Sequence, residues 1–158
     1  IAMKVREIMR SEVRSVGPAV DLSTAGRIME QVDCGVLPVV GAEERVVGML
    51  TDRDLCLTVT RHDLRPSRLR VRQAMSAPVR TCSETEEVAE ALETMARFRV
   101  RRLPVVDPQG RMVGLLCLDD VVLHARPALG EIQAGPYEAE VARTLRSICE
   151  HATPVLTA

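Results

Sequence analysis

The sequence predicts an α/β (α+β) fold: two β-α-β-β-α repeats packed as a pseudo-twofold pair, followed by a C-terminal helix. Three observations predict it. Residues Val5 to Leu55 align with Val71 to Val121 without a gap at an offset of 66, and 16 of these 51 positions are identical. Within that alignment Leu37-Pro38-Val39-Val40 recurs as Leu103-Pro104-Val105-Val106, and Gly48-Met49-Leu50-Thr51-Asp52-Arg53-Asp54 faces Gly114-Leu115-Leu116-Cys117-Leu118-Asp119-Asp120. Each copy also sets one helical-period segment among short β-branched runs, which is an α/β pattern. Two copies are too few for a solenoid, which needs at least ~3 stacked units. A compact pair follows, and any pocket between the halves should occur twice.

The elements of each copy are expected in the same order. Val13 to Val16, and Val79 to Cys82, read as short extended stretches. Next comes an amphipathic helix, carried by Leu22, Ala25, Met29 and Val32 in the first copy. In the second, Val88, Ala91, Leu92, Met95 and Phe98 carry it. Asp21 and the Ser83-Glu84-Thr85-Glu86 segment supply N-cap chemistry. Val36 to Val40 and Arg45 to Leu50, then Leu103 to Val106 and Met112 to Leu116, have the length and β-branching of buried strands. Gly41 to Glu44 and Asp107 to Gly110 are turn material. A second helix should begin near Thr51 and near Cys117.

These elements divide the chain into a first repeat over 3–60, a linker over 61–70, a second repeat over 71–125 and an extension over 126–158. The linker holds Pro66 and the arginines Arg61, Arg65, Arg68 and Arg70, and reads as a solvated connection. Leu129 to Tyr137 reads as irregular. A helix over 138–151 would place Val141, Leu145 and Ile148 on one apolar face that needs a partner, in the core or in a second chain.

Composition narrows the function. A net charge of −1 gives no global field toward nucleic acid or membrane, and Phe98 and Tyr137 are the sole aromatics, too few for a base-stacking platform. No run of 18 apolar residues and no signal-peptide pattern occurs, so a soluble cytoplasmic protein is expected. Cys34, Cys56, Cys82, Cys117 and Cys149 form no CxxC, and with three histidines at no ligand spacing they suggest neither disulfides nor a metal site. No Ser–His–Asp set, P-loop or paired metal ligands suggest catalysis, so no catalytic residues and no catalytic cofactor are expected.

The recurring Leu-Pro-Val-Val, a short turn and Val-Gly-Met-Leu-Thr-Asp-Arg-Asp resemble a tandem pair of CBS domains, the modules named after cystathionine β-synthase. The resemblance covers residue 3 to about 125. No catalytic, transporter or channel domain is recognisable beside them, as in a stand-alone CBS-domain protein. The spacing has a physical sense. Thr51 at a strand-to-helix junction caps the helix where the dipole favours an anion, and Asp54, three residues on, is an acceptor suited to a diol. The alternative is that Thr51 and Asp54 only cap the helix.

The resemblance implies more. The matching Thr contacts phosphate, and the matching Asp holds the ribose hydroxyls. Each cleft joins the Asp motif of one repeat to the strand entry of the other. Arg101 and Arg102 therefore resemble phosphate ligands for the Thr51–Asp54 cleft, like the Arg-Arg or His-Arg of AMP- and ATP-binding members. Met49, Val79, Thr81 and Val100 match the adenine pocket. In the other cleft Gly35 and Val36 replace the arginines and Cys117 replaces Thr or Ser, leaving only Asp120. That degraded site should bind phosphate poorly, yet could still hold a nucleoside-like ligand without phosphate, such as S-adenosylmethionine.

The expected function is a regulatory module that senses AMP, ADP or ATP and acts by a population shift of conformation or oligomer. Its partners would be the nucleotide, a second copy in a homodimer and a regulated protein of unknown identity. The alternatives are a ligand-free dimerisation module, or a binder of S-adenosylmethionine or NAD.

Overall fold

The computed structural model describes residues 2–125, 136 and 138–150. Its elements are α1 (Leu22–Gln31), β1 (Val36–Val40), β2 (Val46–Thr51), α2 (Asp52–His62), α3 (Val71–Ala74), β3 (Cys82–Ser83), α4 (Val88–Phe98), β4 (Arg102–Val106), β5 (Met112–Cys117), α5 (Leu118–Leu123) and α6 (Glu138–Cys149), with single 3-10 turns at Val5–Glu7, Ala42–Glu44 and Pro66–Arg68. No helix among the described residues is long and apolar enough to cross a membrane.

The chain packs into two units that do not follow the order of the repeats. One unit takes 1–10, 80–105 and 115–158; the other takes 11–79 and 106–114. The hydrogen bonds explain this division. Val5 N–H donates to Glu86 O, Arg6 N–H to Glu84 O and Val88 N–H to Met3 O, so the opening turn of the first repeat joins the strands and helices of the second. In the other unit Val71 N–H donates to Val20 O, Arg72 N–H to Pro18 O and Leu22 N–H to Leu69 O. The opening turns at Val5 and Val71 occupy equivalent positions, and the periodicity of the sequence had not signalled either.

In the unit of residues 11–79, β1 and β2 are antiparallel, with Leu37 opposite Leu50 and Pro38 opposite Met49. Val16 bridges Val39 in parallel on one side, and Ser76 bridges Met49 on the other. The expected stretch at Val13 to Val16 thus contributes a single bridge, not a strand. Beneath the sheet, α1 presents Leu22, Ala25 and Met29 to Leu37, Val39 and Leu50. Asp21 caps α1, its carboxylate accepting from Thr24 N–H at 2.9 Å. Val32 lies outside this face: α1 ends at Gln31, and Val32 is the exposed C-cap.

The segment 61–70 is not a purely solvated linker. Helix α2 runs on to His62, and Leu69 is 1% exposed in the same core as Leu22 and Leu50. The arginines Arg61, Arg65, Arg68 and Arg70 remain outside. An apolar side chain and a Leu69 carbonyl bonded to Leu22 anchor a stretch whose composition looked polar.

A second sheet has β3, β4 and β5 in that order. Val88, Ala91, Leu92 and Met95 of α4 are buried. Residues Ser83 to Glu86 form a turn rather than the cap; Glu87 is the N-cap, its N–H donating to Glu90. Phe98 is half exposed at the end of α4, where the Arg80 guanidinium stacks 4.0 Å from its ring centroid. Helix α6 packs on α4 and α5. Its inward face is Val141, Thr144 and Ile148, and the expected Leu145 is exposed. Leu145 follows Thr144 by one residue, about 100° round a helix of 3.6 residues per turn, which turns it to solvent. The expected irregular stretch 129–137 lies mostly outside the described residues, as does the end of the helix expected to reach 151.

Candidate functional site

Both strand-to-helix junctions fall where the motif put them. Thr51 is the N-cap of α2 and Cys117 the N-cap of α5. At the first junction the two motif residues form a closed capping box. Asp54 N–H donates to Thr51 Oγ1 at 3.1 Å, Thr51 N–H donates to Asp54 Oδ2 at 3.0 Å, and the Thr51 hydroxyl donates to the same Oδ2 at 2.7 Å. One carboxylate oxygen of Asp54 is therefore committed to the helix. The other, Oδ1, takes no hydrogen bond among the described residues and remains open to a donor.

The strand entry of this repeat lies against its own helix start. Val36 pairs with Thr51 across β1 and β2, and Asp52 N–H donates to Gly35 O at 3.0 Å. A Cβ on Gly35 would sit 2.6 Å from Oδ2 of Asp52, so any larger residue there would push that carboxylate away. Cys34 Sγ donates to Val36 O at 3.6 Å. This entry presents a carboxylate rather than a cation.

The second junction has the same backbone and different chemistry. Leu118 N–H donates to Arg101 O at 2.9 Å, the counterpart of Asp52 to Gly35. Cys117 puts a thiol, a weak acceptor, where Thr51 has a hydroxyl. Burial pushes the Cys117 thiol up to about 11; the Asp120 carboxylate adds to this, and the nearby guanidiniums of Arg102 and Arg10 pull against it. Arg102 thus lies beside Cys117 of its own repeat, while Arg101 is exposed.

Asp120 is not a free carboxylate. It is 7% exposed, and both oxygens are taken. Oδ2 accepts Cys117 N–H at 3.1 Å, and Oδ1 accepts Arg10 Nε at 2.9 Å and Nη2 at 2.8 Å. The Asp120 bond and charge raise the Arg10 pKa. Asp120, the acceptor expected to survive in the second site, is thus bonded to Arg10 and to the Cys117 amide. Sequence reasoning missed Arg10, whose one available signal was the mismatch with Ser76 at the equivalent position of the repeat.

The proposed adenine residues are distributed along the chain. Met49 exchanges backbone hydrogen bonds with Ser76, at 3.1 and 2.8 Å, in the unit that holds Thr51 and Asp54. Val79 is half-buried in that same unit. Thr81 is exposed and Val100 half-buried in the unit that holds Arg101 and Arg102, with Val100 N–H bonded to Met95 O.

Among the described residues no group of three or more His, Cys, Asp or Glu could hold a metal ion. All five cysteines are free thiols, and burial pushes Cys82 up to about 12, with Glu86 adding to it.

Comparison with known proteins places this geometry. The CBS domain model matches residues 5–65 and 71–126. A CBS domain-containing protein of Bacillus subtilis is 34% identical over 76% of this chain and 84% of its own length. The chain spans 65% of an uncharacterized protein of Methanopyrus kandleri and 29% of the inosine-5′-monophosphate dehydrogenase of Methanocaldococcus jannaschii, at 30% and 31% identity over 81% and 90% of this chain. Among solved structures, Hypoxic Response Protein I with two coordinated zinc ions superposes with a TM-score of 0.71 at 30% identity, over 79% of this chain and 100% of that one. CBSX2 in complex with AMP gives 0.68 at 22% identity, over 77% and 95%. The duplicated sequence, the two capped strand-to-helix junctions and a family match across both repeats lead to one conclusion: the chain belongs to the CBS domain family, as a tandem pair.

Proposed function

We propose that this CBS pair is a regulatory module that binds an adenine nucleotide, AMP, ADP or ATP, with no catalytic step of its own. The observation that carries the reading is the half-used carboxylate of Asp54. The capping box holds it through Oδ2, and Oδ1 takes no hydrogen bond among the described residues. A ribose diol supplies the donors such an acceptor lacks. Met49 and Val79, in the unit that holds Thr51 and Asp54, are the proposed adenine contacts beside it. The reading is supported by the same fold carrying AMP in one solved structure, and 5′-methylthioadenosine with S-adenosyl-L-methionine in another.

Ligand binding would favour one conformation or oligomer, read by a second copy of the chain or by a regulated protein. A thermal-shift panel of AMP, ADP, ATP, NAD and S-adenosylmethionine tests this. A site-specific ligand raises Tm with concentration by mass action. No shift with any of them at millimolar levels would sink the nucleotide reading. The competing reading, a ligand-free dimerisation module, is favoured by the exposed apolar side chains Leu57 and Leu64 at α2 and Val122 and Leu123 on α5. It predicts a stable homodimer whose mass is indifferent to all five ligands.

A further inference from the structure

The two repeats handle one pair of equivalent positions in opposite ways. Ser76 and Met49 exchange backbone hydrogen bonds at 2.8 and 3.1 Å, and Arg10 and Leu115 exchange the same pair at 2.9 Å each. The backbones are therefore in register, and only the side chains differ. Among the described residues no hydrogen bond joins Ser76 to Asp54 of its unit. Arg10 reaches Asp120, and its Nε and Nη2 both converge on Oδ1.

We propose that Arg10 is a built-in occupant of the second site, holding the donor position at Asp120 that a ligand's vicinal diol would otherwise take. The inference rests on the reading of Asp54 as a diol acceptor, because Asp120 is its counterpart in the repeat. A diol offers two neutral donors. Arg10 offers two charge-assisted donors from one planar fork, on a backbone already anchored to β5, so no free molecule needs to be captured. The Cys117 amide occupies Oδ2, so both oxygens of Asp120 already carry a bond. A nucleoside must displace a tethered cation to bind here, whereas at Asp54 it meets an open oxygen. The chain accordingly takes one nucleoside, and the asymmetry is set from residue 10 as much as from Cys117.

Calorimetric titration of adenosine, which needs no phosphate ligand, into wild type, Arg10→Ser, Arg10→Lys and the double variant R10S/D120N provides the test. Serine is the residue the other repeat carries, and Arg10→Lys keeps a cation at Asp120. Wild type and Arg10→Lys should take one adenosine per chain, Arg10→Ser two, and the double variant one again. Wild type taking two overturns the proposal, and so does Arg10→Ser gaining none over wild type. Wild type taking none fails the nucleotide reading by itself, and a gain on Arg10→Ser then still upholds the Arg10 inference. A measurement on the intact protein covers the case in which Arg10→Ser does not fold. The Nε–H resonance of Arg10 should keep its position at saturating adenosine, and a shift or loss would overturn the proposal.

Discussion

The hydroxyl of Thr51 donates to Oδ2 of Asp54 at 2.7 Å, and the Thr51 amide donates to the same oxygen. A side chain proposed as a ligand acceptor is thus also half of a helix cap, so deleting it would confuse the two roles. Asp54→Asn separates them. The asparagine carbonyl can still accept the Thr51 amide, and the helix stays capped. The charge that would hold a diol is gone. Affinity for AMP or ATP should fall by about 10–100-fold, about 1.5–3 kcal/mol, with Tm nearly unchanged. Equal loss of Tm and affinity in Asp54→Asn would mean that the residue is only a cap.

Leu69 tests the role of the inter-repeat segment. A solvated connection would tolerate truncation there. A side chain 1% exposed beside Leu22 and Leu50 would not, and Leu69→Ala should cost about 2–5 kcal/mol in urea unfolding. Arg68→Ala, at an exposed position one residue earlier, should stay within about 0.5 kcal/mol.

Asp107 gives a pH dependence with a definite sign. Burial alone would raise its pKa, but hydrogen bonds from the Arg111 amide and guanidinium, the Arg111 charge and the Gln109 amide leave it below its ordinary value of 3.8. A carboxylate with a depressed folded pKa contributes stability above its unfolded pKa and loses it as pH falls through the folded one. Acid titration below about pH 4 should therefore loosen the β4–β5 turn. Asp107→Asn should flatten that limb of the stability curve, and an unchanged limb would exclude Asp107 as its source.

The thiols should divide by burial. Cys82 and Cys117, pushed up to about 12 and about 11, hold almost no thiolate at pH 8. Cys56 and Cys149 are exposed. Iodoacetamide on the native protein, followed by mass spectrometry, should label Cys56 and Cys149 and spare Cys82 and Cys117 until denaturant is added. Native labelling of Cys117 would contradict its burial.

Much of this molecule was legible in its sequence, and for identifiable reasons. The caps at Asp21, Thr51 and Cys117 and the strand runs are local features, set by residues within one turn of each other. The misses are of three kinds. Val32, Phe98 and Leu145 are apolar and near the helical period, yet each sits one position past the face or at the helix end, where periodicity does not discriminate. The turns at Val5 and Val71 carry no pattern of their own and form because partners in the other repeat accept their hydrogen bonds. Arg10 and Asp120 lie 110 residues apart, beyond the reach of spacing arguments. Comparing the repeats exposed the loss of the Thr51 equivalent at Cys117, because that is a substitution inside the motif. It did not expose Arg10, because Arg10 lies outside it.

The exchange of opening segments between the packing units bears on how the chain is made. Residues 3–10 are synthesised before their acceptors at Glu84, Glu86 and Leu115, with the rest of the first repeat between them. That segment waits unpaired while the intervening chain is made, and its loops close over long sequence separations. Translation pauses placed before Leu115 would prolong the exposure of Val5 and Ile8, the apolar side chains that the finished protein buries.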